Sequence, residues 1–233
     1  MRHIQKKNEP QSLTEWRAAH RNDPNFGYLL IEANLRREIR QALIAEQGGL
    51  CAYTGRRIGE TSCHIEHPKP QVHCTKGEDV SFANMLACVP APNAPGLPYG
   101  AHKKGAWPDA IEEALFVSPL RPGCEERFSF SLNGEIKASD PTDAAAKKTI
   151  EQLGLNHALM QQFRKAAIDA TLRIHGRGNA SLDLHSARVR LNGLTAAEQN
   201  HSPLEQFCFV LKQVLQRHIT RVEAIRKSKR ELR

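Results

Sequence analysis

The sequence predicts an α+β fold made mostly of helix, and three observations carry that expectation. Between Leu29 and Gln47 the apolar residues Leu30, Ile31, Leu35, Ile39, Leu43 and Ile44 recur at helical spacing, and Gly48-Gly49 supplies a stop. Residues 50–105 are rich in Gly, Pro, His and Cys and hold only short strand-like pieces, at 50–53 and 62–67, with Gly55-Arg56-Arg57 as a turn between them. Beyond Asp140 helical spacing returns. The chain divides on this reading into an N-terminal helical segment (1–49), a small irregular core (50–108), and a hairpin followed by a helical region with a basic tail (109–233).

Each element has a local reason. Ser12-Leu13-Thr14-Glu15 has the form of a capping box and predicts a short helix to about Arg21, broken at Asn22-Asp23-Pro24-Asn25. A helix is expected to start near Ser81 and to run through Asn84 to Leu86. Four prolines between Pro90 and Pro98 exclude helix and central strand there and leave a surface loop. Ile111 to Leu115 reads as a short helix. Phe128, Phe130 and Leu132 alternate with serines and are followed by Asn133-Gly134, which predicts a hairpin with a two-residue turn. Asp140-Pro141 opens a helix that ends at Gly154, and Asn156 caps the next, which runs to His175 ahead of Gly176-Arg177-Gly178. Ser202, Pro203 and Glu205 take the N-cap, N1 and N3 places of a last helix whose stripe is Phe207, Val210, Leu211, Val214, Leu215, Val222 and Ile225.

Composition narrows the function classes. Of 233 residues, 40% are apolar and 25% charged, which is ordinary for a globular chain and excludes fibrous or disordered classes. No run approaches the roughly 20 apolar residues of a membrane span, and Met1 to Ser12 lacks the apolar centre of a secretion signal, so a cytoplasmic location is expected. The cysteines at 51, 63, 74, 88, 124 and 208 are too dispersed for a disulfide scaffold and are expected as thiols or metal ligands. The net charge of +8 suits a polyanionic partner, nucleic acid being the commonest. Residues 217–233 hold seven basic side chains (Arg217, Arg221, Arg226, Lys227, Lys229, Arg230, Arg233) against Glu223 and Glu231, a local excess of +5.

The chemistry-bearing string is Cys63-His64-Ile65-Glu66-His67-Pro68. In a strand His64 and Glu66 share one face. Pro68 holds His67 extended and marks the strand end, where neighbouring Glu and His side chains can converge on one site. Asn84 lies seventeen residues on, and His102-Lys103-Lys104-Gly105 eighteen beyond that. A Glu-His pair, an Asn and a His in this order match the ββα-metal arrangement.

Leu50-Cys51-Ala52-Tyr53, His64 to His67, Asn84 to Cys88 and His102 to Gly105 together resemble the HNH endonucleases. Within them the chain is similar to PtuB, the HNH subunit of Septu anti-phage systems, some of which are encoded with retrons. Met1 to Lys6 with Glu9-Pro10 and Leu13, and Thr149 to Asn156, share that likeness, which extends to about residue 175. Such proteins often hold a structural zinc between two Cys pairs. Here Thr54 breaks the first pair and the partner of Cys88 near Tyr99–Ala101 is missing, so two thiolates remain and a zinc-free version is expected. Cys63 or Cys74 with His73 is the alternative zinc set.

The resemblance implies roles. His67 is the general base, Glu66 and His102 the metal ligands, Asn84 the residue that holds the loop and orients His67, and His64 a supporting residue. Lys103, Lys104, Arg56 and Arg57 are candidate phosphate contacts. The donor set suits Mg²⁺ or Mn²⁺, with Zn²⁺ or Ni²⁺ accessible by affinity. The implied partners are nucleic acid, a PtuA-type ABC ATPase, and possible association with a retron reverse transcriptase and its DNA/RNA; no Gly-x-x-x-x-Gly-Lys-Ser/Thr nucleotide loop occurs in this chain. Two other readings stand beside this one: an HNH ribonuclease that cuts RNA or tRNA, and a catalytically inactive nucleic-acid-binding or scaffold subunit.

Overall fold

The computed structural model describes residues 1–173, 182–200 and 203–231. Helices dominate, and two small antiparallel sheets complete an α+β architecture. Among the described residues no helix is long and apolar enough to cross a membrane.

The N-terminal helix α1 spans Gln11–His20 and buries Leu13 and Trp16. Its N-cap is Pro10, not Ser12, and no side chain caps it. Thr14 Oγ1 donates instead to Glu9 Oε1 at 2.6 Å, and Gln11 Nε2 to Glu15 Oε1 at 3.0 Å, which diverts the residues of the expected capping box. Helix α2 spans Ala33–Glu46, and Leu35, Ile39 and Leu43, four residues apart, form its buried stripe. It starts later than the apolar spacing suggests, because Tyr28–Leu30 form a 3-10 turn and Leu29 points to solvent. Gly48 and Gly49 end it with φ of +64° and +75°. A Cβ on Gly48 would stand 2.6 Å from Leu204 Cγ, so only glycine lets the C-terminal region approach there. Truncating Ile39, which has no exposed surface, to alanine costs about 2–5 kcal/mol.

The central sheet differs from the expected pairing. Strand β1 (His64–Glu66) pairs antiparallel with β2 (Leu86–Cys88), in the register His64 to Cys88 and Glu66 to Leu86. Leu50 makes only an isolated bridge to Arg57. The helix expected from Ser81 is a single 3-10 turn, Phe82–Asn84. Phe82, Met85 and Leu86 have helical spacing, but a short apolar run serves equally as a buried strand, and here every residue of β2 is buried. The outer edge of β2 is closed by Gln47: its Nε2 donates to Ala87 O at 2.8 Å and its Oε1 accepts from Ala87 N at 2.7 Å. Helix α3 is one turn, Ala101–Lys104.

Strands β3 (Phe128–Phe130) and β4 (Ile136–Ala138) form the expected hairpin. The ladder continues through Ser131 N to Glu135 O at 2.9 Å, so the loop has three residues rather than two. Gly134 sits at φ +84°, where a Cβ would meet Gln161 O at 2.1 Å. Helix α4 covers Ala144–Gln152 with Asp143 as N-cap, three residues after Asp140, which bonds Thr142 instead. Helix α5 covers Ala158–Leu172 and is capped by His157. Asn156 is not its cap, because its carboxamide is spent on Ile136 N and O at 2.9 and 2.8 Å. The expected end of this helix at His175, and Gly176-Arg177-Gly178, lie outside the described residues. Helix α6 covers Leu184–Gln199 and α7 Cys208–Glu231. The last helix thus begins well after Pro203; Glu205 pairs with Arg190 at 2.5 Å, and Ser202 lies outside the described residues. Phe207, Val210, Leu211, Val214 and Leu215 are buried, in one cluster that also contains Leu13, Leu43, Tyr53, Leu86 and Phe128. Residues of all three sequence segments therefore share a single core.

Candidate active site

Strand alternation builds the site. In β1 only Ile65 is buried, and His64 and Glu66 share the opposite face. The Glu66 carboxylate is enclosed on that face, with 13% of its side chain exposed. Its Oε1 accepts from Lys104 Nζ at 2.9 Å and from Tyr53 Oη at 3.3 Å. Its Oε2 lies 3.7 Å from His64 Nε2, beyond hydrogen-bonding reach but within charge contact. Burial pushes this carboxyl up, yet the His64 ring and the Lys104 ammonium outweigh it and hold the group below the usual glutamate value. Burial, with Glu66 beside it, keeps Tyr53 well above the usual phenol value, so it stays a donor.

Two histidines are oriented by backbone carbonyls. Nε2 of His67 meets Asp79 O at 2.8 Å, and Nδ1 of His64 meets Pro90 O at 2.6 Å. A carbonyl only accepts, so the ring nitrogen facing it carries the proton and the other nitrogen of a neutral ring keeps its lone pair. Nδ1 of His67 and Nε2 of His64 are then the free bases. Burial lowers the His67 pKa, and its net value lies below the ordinary histidine value despite the Asp79 carbonyl. For His64 burial also acts downward, but Glu66 and the Pro90 carbonyl prevail and the net shift is upward. His67, Glu66 and Lys104 line a cavity of about 330 Å³ with Tyr28, Gln71 and Val72. The Tyr28 ring stands edge-on to His67 at 4.8 Å, and its backbone N–H donates to Asp79 Oδ2 at 2.7 Å. Asp79 therefore fixes both neighbours of the cavity wall, one through its carbonyl and one through its carboxylate.

The remaining sequence candidates fall into distinct places. Asn84 clamps the loop: its Oδ1 accepts from Lys69 N at 2.9 Å and its Nδ2 donates to Lys69 O at 3.0 Å, two residues past His67. It touches His67 only through that loop. His102 is exposed, its ring 5.5 Å from that of His64. Its Nδ1 accepts from Leu97 N at 3.3 Å, which places the proton of a neutral ring on Nε2. Lys103 is exposed, but Lys104 is 3% exposed and donates to His67 O at 3.0 Å besides pairing with Glu66, so it faces the carboxylate rather than solvent. Arg56 and Arg57 both make bonds within the chain. Arg56 donates to Tyr99 Oη at 2.7 Å and stacks on Phe163, and Arg57 donates to Leu204 O. These guanidiniums tie the turn to the C-terminal region.

Sequence reasoning passed over Tyr53, Tyr28 and Asp79. Tyr53 had a signal, since it ends a strand-like run that leads towards the motif. Asp79 had none, because it acts on His67 through a backbone carbonyl.

Cys51 contacts Cys88, the last residue of β2. Burial alone would push the Cys51 thiol up, but hydrogen bonds from Cys88, Thr54 and the backbone at Val89 hold it at about 6. A Cβ on Gly100 would lie 3.2 Å from Thr54 Cγ2, so the positions matching both broken Cys pairs face one spot. Cys63 and Cys74 bond backbone carbonyls elsewhere, and His73 meets Ala106 O at 3.1 Å. Among the described residues no three His, Cys, Asp or Glu side chains form a ready cation cage. Glu66 Oε2 and His64 Nε2, on one face of β1 and 3.7 Å apart, are nevertheless a carboxylate and an imidazole donor of the kind a divalent cation with open positions takes.

No family model matches the chain. One curated protein is similar. It is the "Retron Vc95 putative HNH endonuclease" of Vibrio cholerae serotype O1 biovar El Tor, 26% identical over 146 residues, or 60% of this chain and 68% of that protein. It is a distant homologue, and its name agrees with the resemblance carried by the Glu66-His67, Asn84 and His102 pattern.

Proposed function

We propose that this chain is an HNH-type endonuclease that hydrolyses phosphodiester bonds in nucleic acid, with His67 as general base. The observation that carries this reading is the His67 ring. Its Nε2–H is committed to the Asp79 carbonyl, so Nδ1 is a lone-pair base, and the ring lines the same cavity as Glu66 and Lys104. A lowered pKa keeps that base unprotonated at neutral pH. In the reaction Nδ1 takes a proton from water, the water oxygen attacks phosphorus, and the breaking P–O bond leaves an alkoxide that is then protonated. Glu66 and a neighbouring imidazole would hold a divalent cation, which when bound would neutralise charge on the phosphoryl oxygens. Asn84 positions His67 by closing the loop at Lys69 and touches no reacting atom.

The proposed setting is an anti-phage assembly in which an ABC-type ATPase of the PtuA kind controls the nuclease. Support comes from the likeness over residues 1–175 and from the retron in the relative's name. Purified chain, alone and with the ATPase, assayed on DNA and on total RNA with Mg²⁺ or Mn²⁺, tests the reading. His67→Ala is expected to keep the fold and to lower cleavage by about 10²–10⁴-fold. Cleavage at the wild-type rate by that variant would remove His67 from the base position.

A further inference from the structure

The divalent-cation reading leaves open which imidazole stands opposite Glu66. We infer that His64, rather than His102, is the nitrogen ligand, and that the cation binds between His64 Nε2 and Glu66 Oε2. This inference rests on the metal-dependent reading above.

Four observations converge on it. His64 and Glu66 are two apart in β1 and share a face, so no loop movement is needed to bring them together. His64 Nδ1 donates to Pro90 O at 2.6 Å, the backbone-carbonyl anchor that metal-ligating histidines use to present the other nitrogen. Glu66 Oε1 is already taken by Lys104 at 2.9 Å and by Tyr53 at 3.3 Å, so Oε2 is the oxygen left for a cation. That oxygen and His64 Nε2 are 3.7 Å apart. Two donors each about 2.1 Å from one metal stand roughly 3.0–3.4 Å apart, so a small side-chain rotation closes the site.

His102 is less suited in this arrangement. It is exposed, and its Nδ1 lone pair receives the Leu97 N–H at 3.3 Å, leaving Nε2 protonated in the neutral ring. Its ring lies beside that of His64, at 5.5 Å, where it can reach a cation-bound water or phosphate. Lys104 in turn is a positioning residue: it holds Oε1 without occupying the place between Oε2 and His64.

Mn²⁺ bound to the full chain tests this by pulsed electron paramagnetic resonance, which detects ¹⁴N directly coordinated to the metal. The wild type is expected to show coupling to an imidazole nitrogen. His64→Gln should lose that coupling and bind Mn²⁺ about 10–100-fold more weakly, whereas His102→Gln should keep the coupling. Should His64→Gln fail to fold, the exposed His102→Gln variant decides alone: coupling retained supports His64, and coupling lost overturns it. Absence of ¹⁴N coupling in the wild type also overturns it while leaving a Glu66-anchored cation possible. Glu66→Gln separates the two levels, because wild-type Mn²⁺ affinity in that variant would refute the underlying metal site itself.

Discussion

Replacing Lys104 by methionine removes the ammonium and keeps most of the side-chain volume. The wild-type pair is close, 2.9 Å, with side-chain exposures of 1% for Lys104 and 13% for Glu66. At that separation the gross attraction is about 6 kcal/mol for an effective dielectric near 20, and much of it offsets the cost of removing both charges from water. The net effect of removing one partner is larger than the worth of the pair, because the other charge stays buried: about 3–5 kcal/mol. His67 O loses its Lys104 donor in the same step. For a chain of this size the loss corresponds to a fall in Tm of roughly 6–20 °C. Glu66→Gln in the Lys104→Met background removes both charges and should recover most of the loss, giving a coupling energy of about 3 kcal/mol in a double-mutant cycle. Excess Mn²⁺ should raise the Tm of Lys104→Met more than that of the wild type, since it replaces the missing positive charge, and should leave the double variant unmoved. Urea denaturation and calorimetry of the four proteins measure these quantities. A Lys104→Met variant within 1 kcal/mol of wild type by this accounting, or single effects that simply add in the double variant, would refute the view that a buried charge pair organises the site.

Other perturbations test other parts of the molecule. Asp143 caps α4 and takes a bidentate pair from Arg127, with Nε–Oδ2 at 2.7 Å and Nη2–Oδ1 at 2.5 Å; Asp143→Ala should cost about 1–3 kcal/mol at pH 7, discounted for the partial exposure of Arg127. The Arg127 guanidinium holds the Asp143 carboxyl below its ordinary value, so this stabilisation is present above pH ~4 and is lost as pH falls through the folded value. The gap between wild type and variant should narrow when unfolding at pH 3 is compared with pH 7, and a constant gap would contradict the assignment. Purified protein should carry less than one tightly held zinc per chain; a single chelator-resistant zinc, together with unfolding of Cys51→Ser, would show that the Cys51–Cys88 cluster holds metal after all. Deleting residues 226–233 should leave Tm unchanged and weaken binding to nucleic acid or to the ATPase partner more steeply at low salt, because Arg226, Lys227 and Lys229 sit on the exposed end of α7; equal affinities at two salt concentrations would leave the tail as solvated charge.

The sequence disclosed elements whose signals are local. The 35/39/43 stripe of α2, the glycine stop at 48–49 and the alternation of Phe128 and Phe130 each fix structure within a few residues, and each is present. The strand at His64–Glu66 was visible for the same reason, because Pro68 limits it from one side. Its partner was not. Leu86-Ala87-Cys88 carries no alternation when every residue is buried, and pairing across the nineteen-residue connection from β1 is decided by the core, not by propensity. The N-caps failed similarly: Ser12 has the right chemistry, but the helix already starts at Gln11 behind Pro10, with no side chain capping it. In the site, Glu66, His67, Asn84 and His102 stood out as residue types at recognisable spacing. The special place of His64 could not, because it depends on a carbonyl at Pro90 and on which Glu66 oxygen Lys104 occupies.

A second device was hidden by the same kind of distance. Both sheets have two strands of three residues, so each strand has an outer edge with backbone groups left to satisfy. Carboxamides fill three of these four edges. Gln47 bonds both polar groups of Ala87 on β2, Gln213 bonds Phe128 O and Phe130 N on β3 at 2.8 and 2.9 Å, and Asn156 bonds both groups of Ile136 on β4. An amide side chain offers one donor and one acceptor in nearly the geometry of a peptide group, so a single residue stands in for a missing strand neighbour. Asn84 applies the same pairing to Lys69 in the loop beside His67. Read along the chain, Asn156 looks like a helix cap, since capping is the nearest use of an Asn side chain. Its actual partner lies twenty residues away. The arrangement ties the candidate base to the scaffold. His67 hangs between β1, whose partner strand is edged by Gln47, and a loop closed by Asn84, so its ring can be aimed by one carbonyl without a long helix or an extended sheet to support it.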